Sequence, residues 1–211
     1  MKKLQIILSI LLLVSISVNA QKKKTTKKIT PKIEFGVKAG ANISKIIGDD
    51  DYYIFSSKTG YFGGLVAKYP LSREFAFQGE VYYNMIGSKS KNQPNVEAFR
   101  VNNKITYVSV PILIQYKISP EFYVETGPEI AINLSSKNEN LDTGEVFNMK
   151  EFTKTTTFFW GIGTGYHFNE NIAVNFRANI GITTPFVEGG EGAVDHFRMN
   201  NFQLGLVYLF K

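Results

Sequence analysis

No cysteine occurs anywhere in this chain. That absence excludes disulfides, thiolate metal sites and an N-terminal lipid anchor, so an exported protein of this size must be held together by other means. Long apolar runs are also missing after residue 20. No later segment approaches the roughly 20 consecutive apolar residues of a membrane helix. Acidic residues are absent from the first 32 positions, whereas lysines stand at 2, 3, 22, 23, 24, 27, 28 and 32. The formal charge of +6 therefore belongs to the front of the chain: residues 33–211 carry 16 Lys and Arg against 18 Asp and Glu. The basic pI does not describe a nucleic-acid-binding surface, and nucleic acid is not an expected partner.

Residues 1–20 combine Lys2 and Lys3, an apolar run from Leu4 to Val18 and a small-residue site at Val18-Asn19-Ala20. This pattern predicts a secretory signal peptide. A retained anchor helix is the alternative, for which the run is short. The stretch Gln21 to Pro31, QKKKTTKKITP, has nothing to bury, so residues 21–32 read as a basic, disordered periplasmic tail. Residues 33–211 remain as one domain.

That domain is rich in aromatics and in strand-forming residues. Period-two alternation predicts eight strands at 34–44, 60–69, 74–85, 104–117, 122–134, 154–168, 172–183 and 200–210. Three connections are short and carry turn chemistry: Pro70-Leu71-Ser72-Arg73, Ile118-Ser119-Pro120-Glu121 and Asn169-Glu170-Asn171. The other four, near 45–59, 86–103, 135–153 and 184–199, are long and polar. Long and short connections alternate strictly, as an antiparallel up-and-down transmembrane β-barrel requires.

Taking every second residue in each strand, from Thr106 in the fourth, Thr156 in the sixth and Phe202 in the eighth, selects a face of 47 positions with no charge, including Val37, Leu65, Val81, Val110, Ile130, Trp160, Ile180 and Leu206. The opposite face carries Glu34, Lys38, Lys68, Glu80, Lys117, Glu125, Glu129 and Arg177 among Gly, Asn, Gln and Thr. With both chain ends in the periplasm, Phe35, Tyr69, Phe75, Tyr116, Phe122, Phe168 and Phe210 all fall at one rim of the apolar face. That is an aromatic girdle at a membrane interface, so the apolar face is expected to meet outer-membrane lipid.

Tyr107-Val108-Ser109-Val110-Pro111-Ile112-Leu113-Ile114-Gln115-Tyr116, the following Tyr123-Val124-Glu125-Thr126-Gly127-Pro128 and the terminal Leu204-Gly205-Leu206-Val207-Tyr208-Leu209-Phe210-Lys211 resemble the small eight-stranded outer-membrane barrels of the PorT-like type. The resemblance covers most of residues 33–211. It implies an outer-membrane location, a terminal aromatic signal near Phe210 for the barrel-insertion machinery, and, for one branch of the family, assistance to a protein-secretion machine. It implies a barrel type rather than an activity.

Candidate chemistry is sparse. His167 is expected in the lumen near the periplasmic rim, and His196 lies beside Asp195 in the last outer loop. Asp195, His196 and a loop serine such as Ser88 are the candidates for a rim enzyme acting on acyl chains or peptides. Adjacent residues on a strand point to opposite sides, which weakens that grouping. Asp49-Asp50-Asp51 offers hard oxygen ligands without the spacing of a calcium loop. Gly161, Gly163 and Gly165 precede no helix and so form no phosphate cradle. They are expected to make room in a crowded lumen.

The interior of an eight-stranded barrel is just wide enough for side chains to fill. Charges there must pair, so Lys38, Glu80, Glu125, Glu129 and Arg177 are expected to form one network. The reading is a monomeric barrel with no catalytic or metal site, no cofactor and a structural or interaction role exercised on an unidentified protein partner through its outer loops. A rim enzyme and a narrow channel are the alternatives.

Overall fold

The computed structural model describes residues 32–48, 53–92, 100–187 and 197–210. The expected signal peptide (1–20) and the expected tail as far as residue 31 lie outside the described residues. Ten strands follow in order: β1 (Glu34–Ile47), β2 (Tyr53–Ser56), β3 (Lys58–Pro70), β4 (Phe75–Asn92), β5 (Arg100–Lys117), β6 (Phe122–Asn140), β7 (Val146–Asn148), β8 (Thr156–His167), β9 (Ile172–Gly181) and β10 (Arg198–Phe210). Among the described residues one 3-10 turn, Lys150–Phe152, sits between β7 and β8.

Eight of these strands close a ring in the order β1, β3, β4, β5, β6, β8, β9, β10, every pair antiparallel. Closure comes from β1 pairing with β10 along its whole length, from Phe35 opposite Phe210 to Ile47 opposite Arg198. The fold is therefore an eight-stranded antiparallel up-and-down barrel, with no sheet edge left open between first and last strand. The short β2 and β7 lengthen the wall by pairing with β4 and β6.

The three short connections share one device. In each, the backbone N–H groups of two successive residues converge on the carbonyl that opens the next strand: Leu71 and Ser72 on Phe75, Ile118 and Ser119 on Phe122, Phe168 and Asn169 on Ile172. A side-chain oxygen then accepts from the strand that follows. Ser72 Oγ accepts from Phe75 N at 2.9 Å, Ser119 Oγ from Phe122 N at 3.1 Å and Asn169 Oδ1 from Ile172 N at 2.9 Å. Ser and Asn at these positions satisfy backbone donors that the tight reversal would leave unpaired.

The long connections differ from the sequence expectation. Instead of loops over 86–103 and 135–153, β4 runs to Asn92, β5 starts at Arg100 and β6 reaches Asn140. Polar residues there are still strand, because each backbone group finds a ladder partner on the neighbouring extension. The β6–β7 reversal turns at Gly144, whose φ of 76° lies where only glycine is unstrained. Asn140 Oδ1 accepts from Asp142 N at 2.8 Å to hold that turn.

Two prolines mark gaps in the ladders. Pairing of β4 with β5 skips from Gly79–Ile112 to Tyr82–Ser109, around Pro111, and β5 with β6 skips from Pro111–Glu129 to Ile114–Thr126, around Pro128. Neither proline has an N–H to donate. Thr106 faces Ser135 but Tyr107 faces Asn133, so Leu134 is an extra residue that bulges β6.

Burial alternates along the ring strands except where residues 84–88 of β4 and 105–107 of β5 are buried on both phases, and the apolar face is the one that carries the most exposed side chains: Leu65 is 64% exposed, Leu206 61% and Ile112 59%. Phe35, Tyr69, Phe75, Tyr116, Phe122, Phe168 and Phe210 are all exposed, at the rim that carries the three short turns. Phe75 and Tyr116 face each other across β4 and β5 with ring centroids 5.0 Å apart. Among the described residues no helix is long and apolar enough to cross a membrane. Strands do the crossing here, with apolar side chains outward.

Candidate functional site in the barrel lumen

The lumen has two main storeys of opposite chemistry, with a smaller apolar cluster of Val66, Ala173, Val207 and Leu209 at the turn-side end. Near mid-wall toward the turn-side rim, side chains from β1, β4, β5, β6 and β9 meet around Arg177, which is fully buried. Arg177 donates from Nη1 to Glu80 Oε2 at 2.9 Å and from Nη2 to Glu80 Oε1 at 2.6 Å. Its Nε donates to Glu125 Oε1 at 2.7 Å. Lys38 Nζ approaches Glu80 Oε1 at 3.3 Å. Two carboxyl groups are thus matched by two basic groups, the condition under which buried charge is tolerated.

Neutral amides complete a closed circuit. Gln78 Nε2 donates to Glu80 Oε1 at 2.6 Å, Gln115 Nε2 donates to Gln78 Oε1 and to Glu125 Oε2 at 2.9 Å each, and Asn175 Nδ2 donates to Glu125 Oε1 at 3.0 Å. Each step of the circuit joins side chains on the inward phase of different strands or of positions two apart, as the pleat dictates.

Glu129 does not join this circuit through Arg177. It accepts instead from Tyr82 OH at 2.8 Å, and Tyr82 OH in turn accepts from Gln203 Nε2 at 3.3 Å. The expected five-membered network is therefore a quartet of Lys38, Glu80, Glu125 and Arg177 beside a separate Tyr82–Glu129 pair. Glu129 lies four residues beyond Glu125, on the same inward phase but closer to the loop-side rim, where the Tyr82 phenol reaches it.

The lumen glycines leave space for these groups. A Cβ at Gly161 would lie 3.3 Å from Arg177 Cδ, one at Gly163 would lie 2.9 Å from Glu125 Oε1, and one at Gly165 would collide with the Tyr123 phenol. Their alternation therefore lines β8 with room for the β6 and β9 side chains rather than with a ligand cradle.

Above the circuit, toward the loop-side rim, the interior becomes apolar. Ile46, Ile86, Ile105, Tyr107, Ala131, Phe159, Phe197 and Met199 form one buried cluster, with Phe55 and Phe186 packed against it. Phe197 is the hub, with Phe55 at 5.6 Å and Phe186 at 6.3 Å between ring centroids, both edge-on. Sequence reasoning missed this storey. Ile46, Ile86, Phe197 and Met199 lie just past the expected strand ends, and the available signal was that the inward alternation continues through them.

At the turn-side mouth, a cavity of about 420 Å³ is lined by Glu34, Lys68, Lys117, Glu121 and His167 among others. His167 packs on Tyr123 with ring centroids 5.2 Å apart. Asp195 and His196, and the Asp49–Asp51 run, lie outside the described residues. Ser88 is fully buried and donates to Ser56 O at 2.9 Å, so its hydroxyl is engaged in wall structure. Among the described residues no group of three His, Asp or Glu side chains is placed to hold a metal.

A family model for the outer membrane protein beta-barrel domain matches residues 19–187. The fold is similar to the attachment invasion locus protein Ail of Yersinia pestis, at 14% identity and a TM-score of 0.48 over 84% of this chain and 98% of that one. It is also similar to Neisserial surface protein A, at 17% identity and a TM-score of 0.48 over 83% and 97%. The outer membrane protein W of E. coli matches at 14% identity and a TM-score of 0.40 over 86% and 100%. No curated protein matches the chain in sequence.

Proposed function

The chain belongs to the outer membrane protein beta-barrel domain family, and from that premise we propose a plugged, non-enzymatic barrel that acts through its loop-side rim on a protein partner. In this reading residues 1–20 are removed on export, both ends of the mature chain stay in the periplasm, the barrel is a monomer, and Phe210 near the terminus is what the insertion machinery reads. Within the family we place the chain in the PorT-like branch, on the Pro111–Tyr116 strand and its terminal strand, with an accessory role in protein secretion or envelope function.

The observation that carries the proposal is the filling of the lumen. The Arg177 circuit and the Phe197 cluster occupy successive levels of the same interior. A barrel packed in this way offers its surfaces, not a water-filled path, to other molecules.

Planar-bilayer recording tests the plug: the purified barrel should give no discrete current steps, and stable unitary conductance would replace this reading with the channel. Labelling a tag inserted between residues 93 and 99 on intact cells tests the orientation, with surface access expected. Deletion of the coding region should impair secretion or envelope integrity. A lipid- or peptide-directed activity lost on His196→Ala would instead make the protein a rim enzyme.

A further inference from the structure

On the outward face of the wall built by β4, β5 and β6, Lys104 stands directly opposite Lys137. Both are exposed. Directly opposed residues of an antiparallel pair hold their Cβ atoms roughly 4.5–5.5 Å apart, and like charges there oppose pairing. Among the described residues neither ammonium has an ion pair or hydrogen bond. The carboxylate next in register, Glu139, is taken by Asn102, whose Nδ2 donates to Glu139 Oε2 at 2.8 Å. Asn102 Oδ1 in turn accepts from Lys58 Nζ at 2.6 Å. Lys89, opposite Asn102 and exposed, adds a third cation to the same face.

The depth of this pair matters as much as its charge. Down β6 from Lys137, the outward residues Leu134, Ile132 and Ile130 are each more than two-fifths exposed, and down β5 from Lys104 the wall is covered at Thr106 before the half-buried Val108 and Val110. The pair therefore sits one step beyond the apolar band, at the level of lipid headgroups. Beside it, the 3-10 turn is held along β6 by Met149 N donating to Ser136 O, and its Phe152 is 60% exposed. An aromatic side chain and lysines together are what an interfacial position favours.

We propose that Lys104 and Lys137 form a binding site for the phosphate of an anionic lipid headgroup. One phosphate between the two ammoniums accepts from both and turns their repulsion into attraction to a shared counterion. Continuity with the lipid-facing band selects a lipid over a free anion, because the acyl chains lie along Val108 and Ile132 while the phosphate sits at the lysines. The site needs only the membrane location of the barrel and holds for either orientation of the rims.

The test uses the full mature barrel in phosphatidylcholine vesicles with spin-labelled phosphatidic acid and spin-labelled phosphatidylcholine as probes. The barrel should hold phosphatidic acid roughly tenfold more strongly than phosphatidylcholine, the scale that two interfacial lysines supply. Lys104→Gln with Lys137→Gln should bring that ratio near unity, and Lys45→Gln on β1 should leave it unchanged. Absence of a preference in the unsubstituted barrel, its survival in the double variant, or its loss to millimolar inorganic phosphate at constant ionic strength would each overturn the proposal. Stability provides an independent readout from one substitution. Lys104→Gln should raise the unfolding midpoint in pure phosphatidylcholine, where it relieves repulsion, and lower it in phosphatidic-acid-containing vesicles; a shift of the same sign in both lipids would overturn the proposal.

Discussion

The two storeys of the lumen solve the same packing problem in different ways. Around Arg177 the interior is filled by groups whose partners are fixed one by one, at 2.6 to 3.3 Å, so each side chain depends on the identity of its neighbour. Around Phe197 it is filled by apolar volume, where shape matters and identity matters less. The lesson is that one barrel interior combines a part that specifies register with a part that fills space. A one-residue slip of β4 or β9 would turn Glu80 or Arg177 toward lipid, whereas the apolar storey would lose only contacts.

The largest test of that contrast is Arg177→Met. It leaves Glu80 and Glu125 buried without their shared partner and should destabilise the barrel by about 3–5 kcal/mol in urea unfolding from lipid vesicles. Adding Glu80→Gln should recover part of the loss, with a coupling of roughly 0.5–3 kcal/mol. The corresponding cycle with Glu129→Gln should show a smaller coupling, because Glu129 bonds to Tyr82. Equal coupling for all three carboxylates would merge the pair and the quartet into one network.

Gly163→Ala comes next, since its Cβ would approach Glu125 Oε1 and Phe176 O at 2.9 and 2.7 Å. Overpacking of this kind should cost about 1–3 kcal/mol, read as a lowered unfolding midpoint. In the apolar storey, Ile86→Val should cost only about 0.5–1.5 kcal/mol, and Met199→Leu under roughly 1.5 kcal/mol. Losses as large as that of Arg177→Met would erase the distinction between storeys.

The smallest effect belongs to a pair outside the lumen. Arg100 donates from Nε and Nη2 to Asp142 Oδ1 at 2.8 and 2.7 Å, and these hydrogen bonds hold the Asp142 carboxyl below its ordinary range. A depressed folded-state value means that the contribution is complete above the unfolded-state value, about 3.9, and fades as pH falls through the folded one. An NMR titration of Asp142 should show the lowered midpoint, and Arg100→Gln should bring it part of the way back, since the Arg100 backbone N–H still donates to Asp142 Oδ2 at 3.1 Å, with little change in unfolding, as expected for an exposed pair.

Much of the barrel was legible because alternation with a charge-free face is a long-range signal carried by eight strands at once. Ser72, Ser119 and Asn169 announced the tight turns through ordinary turn chemistry. The lumen charges were visible as isolated ionisable residues on the inward phase. What could not be read was partner choice: Glu80, Glu125 and Glu129 look alike along the chain, and only the height of Tyr82 against Glu129 separates them. The apolar storey escaped because β4, β5 and β6 continue into polar stretches such as Ser88-Lys89-Ser90, where composition suggests loop while ladder pairing makes strand.

The pairing of β1 with β10 has a consequence in time. The two strands farthest apart in the chain are neighbours in the wall, so the contact that removes the last open edge waits for the last strand to arrive. Until then every intermediate presents two unsatisfied edges and an apolar outer surface, a state prone to self-association in water. Such a chain has to be kept from pairing with its own kind between synthesis and insertion, and closing so distant a contact is slow. A variant lacking residues 198–210 would accordingly be more than a shortened barrel: it would be a permanent open-edged intermediate, and it should accumulate as aggregate or degradation fragments rather than as a seven-stranded protein.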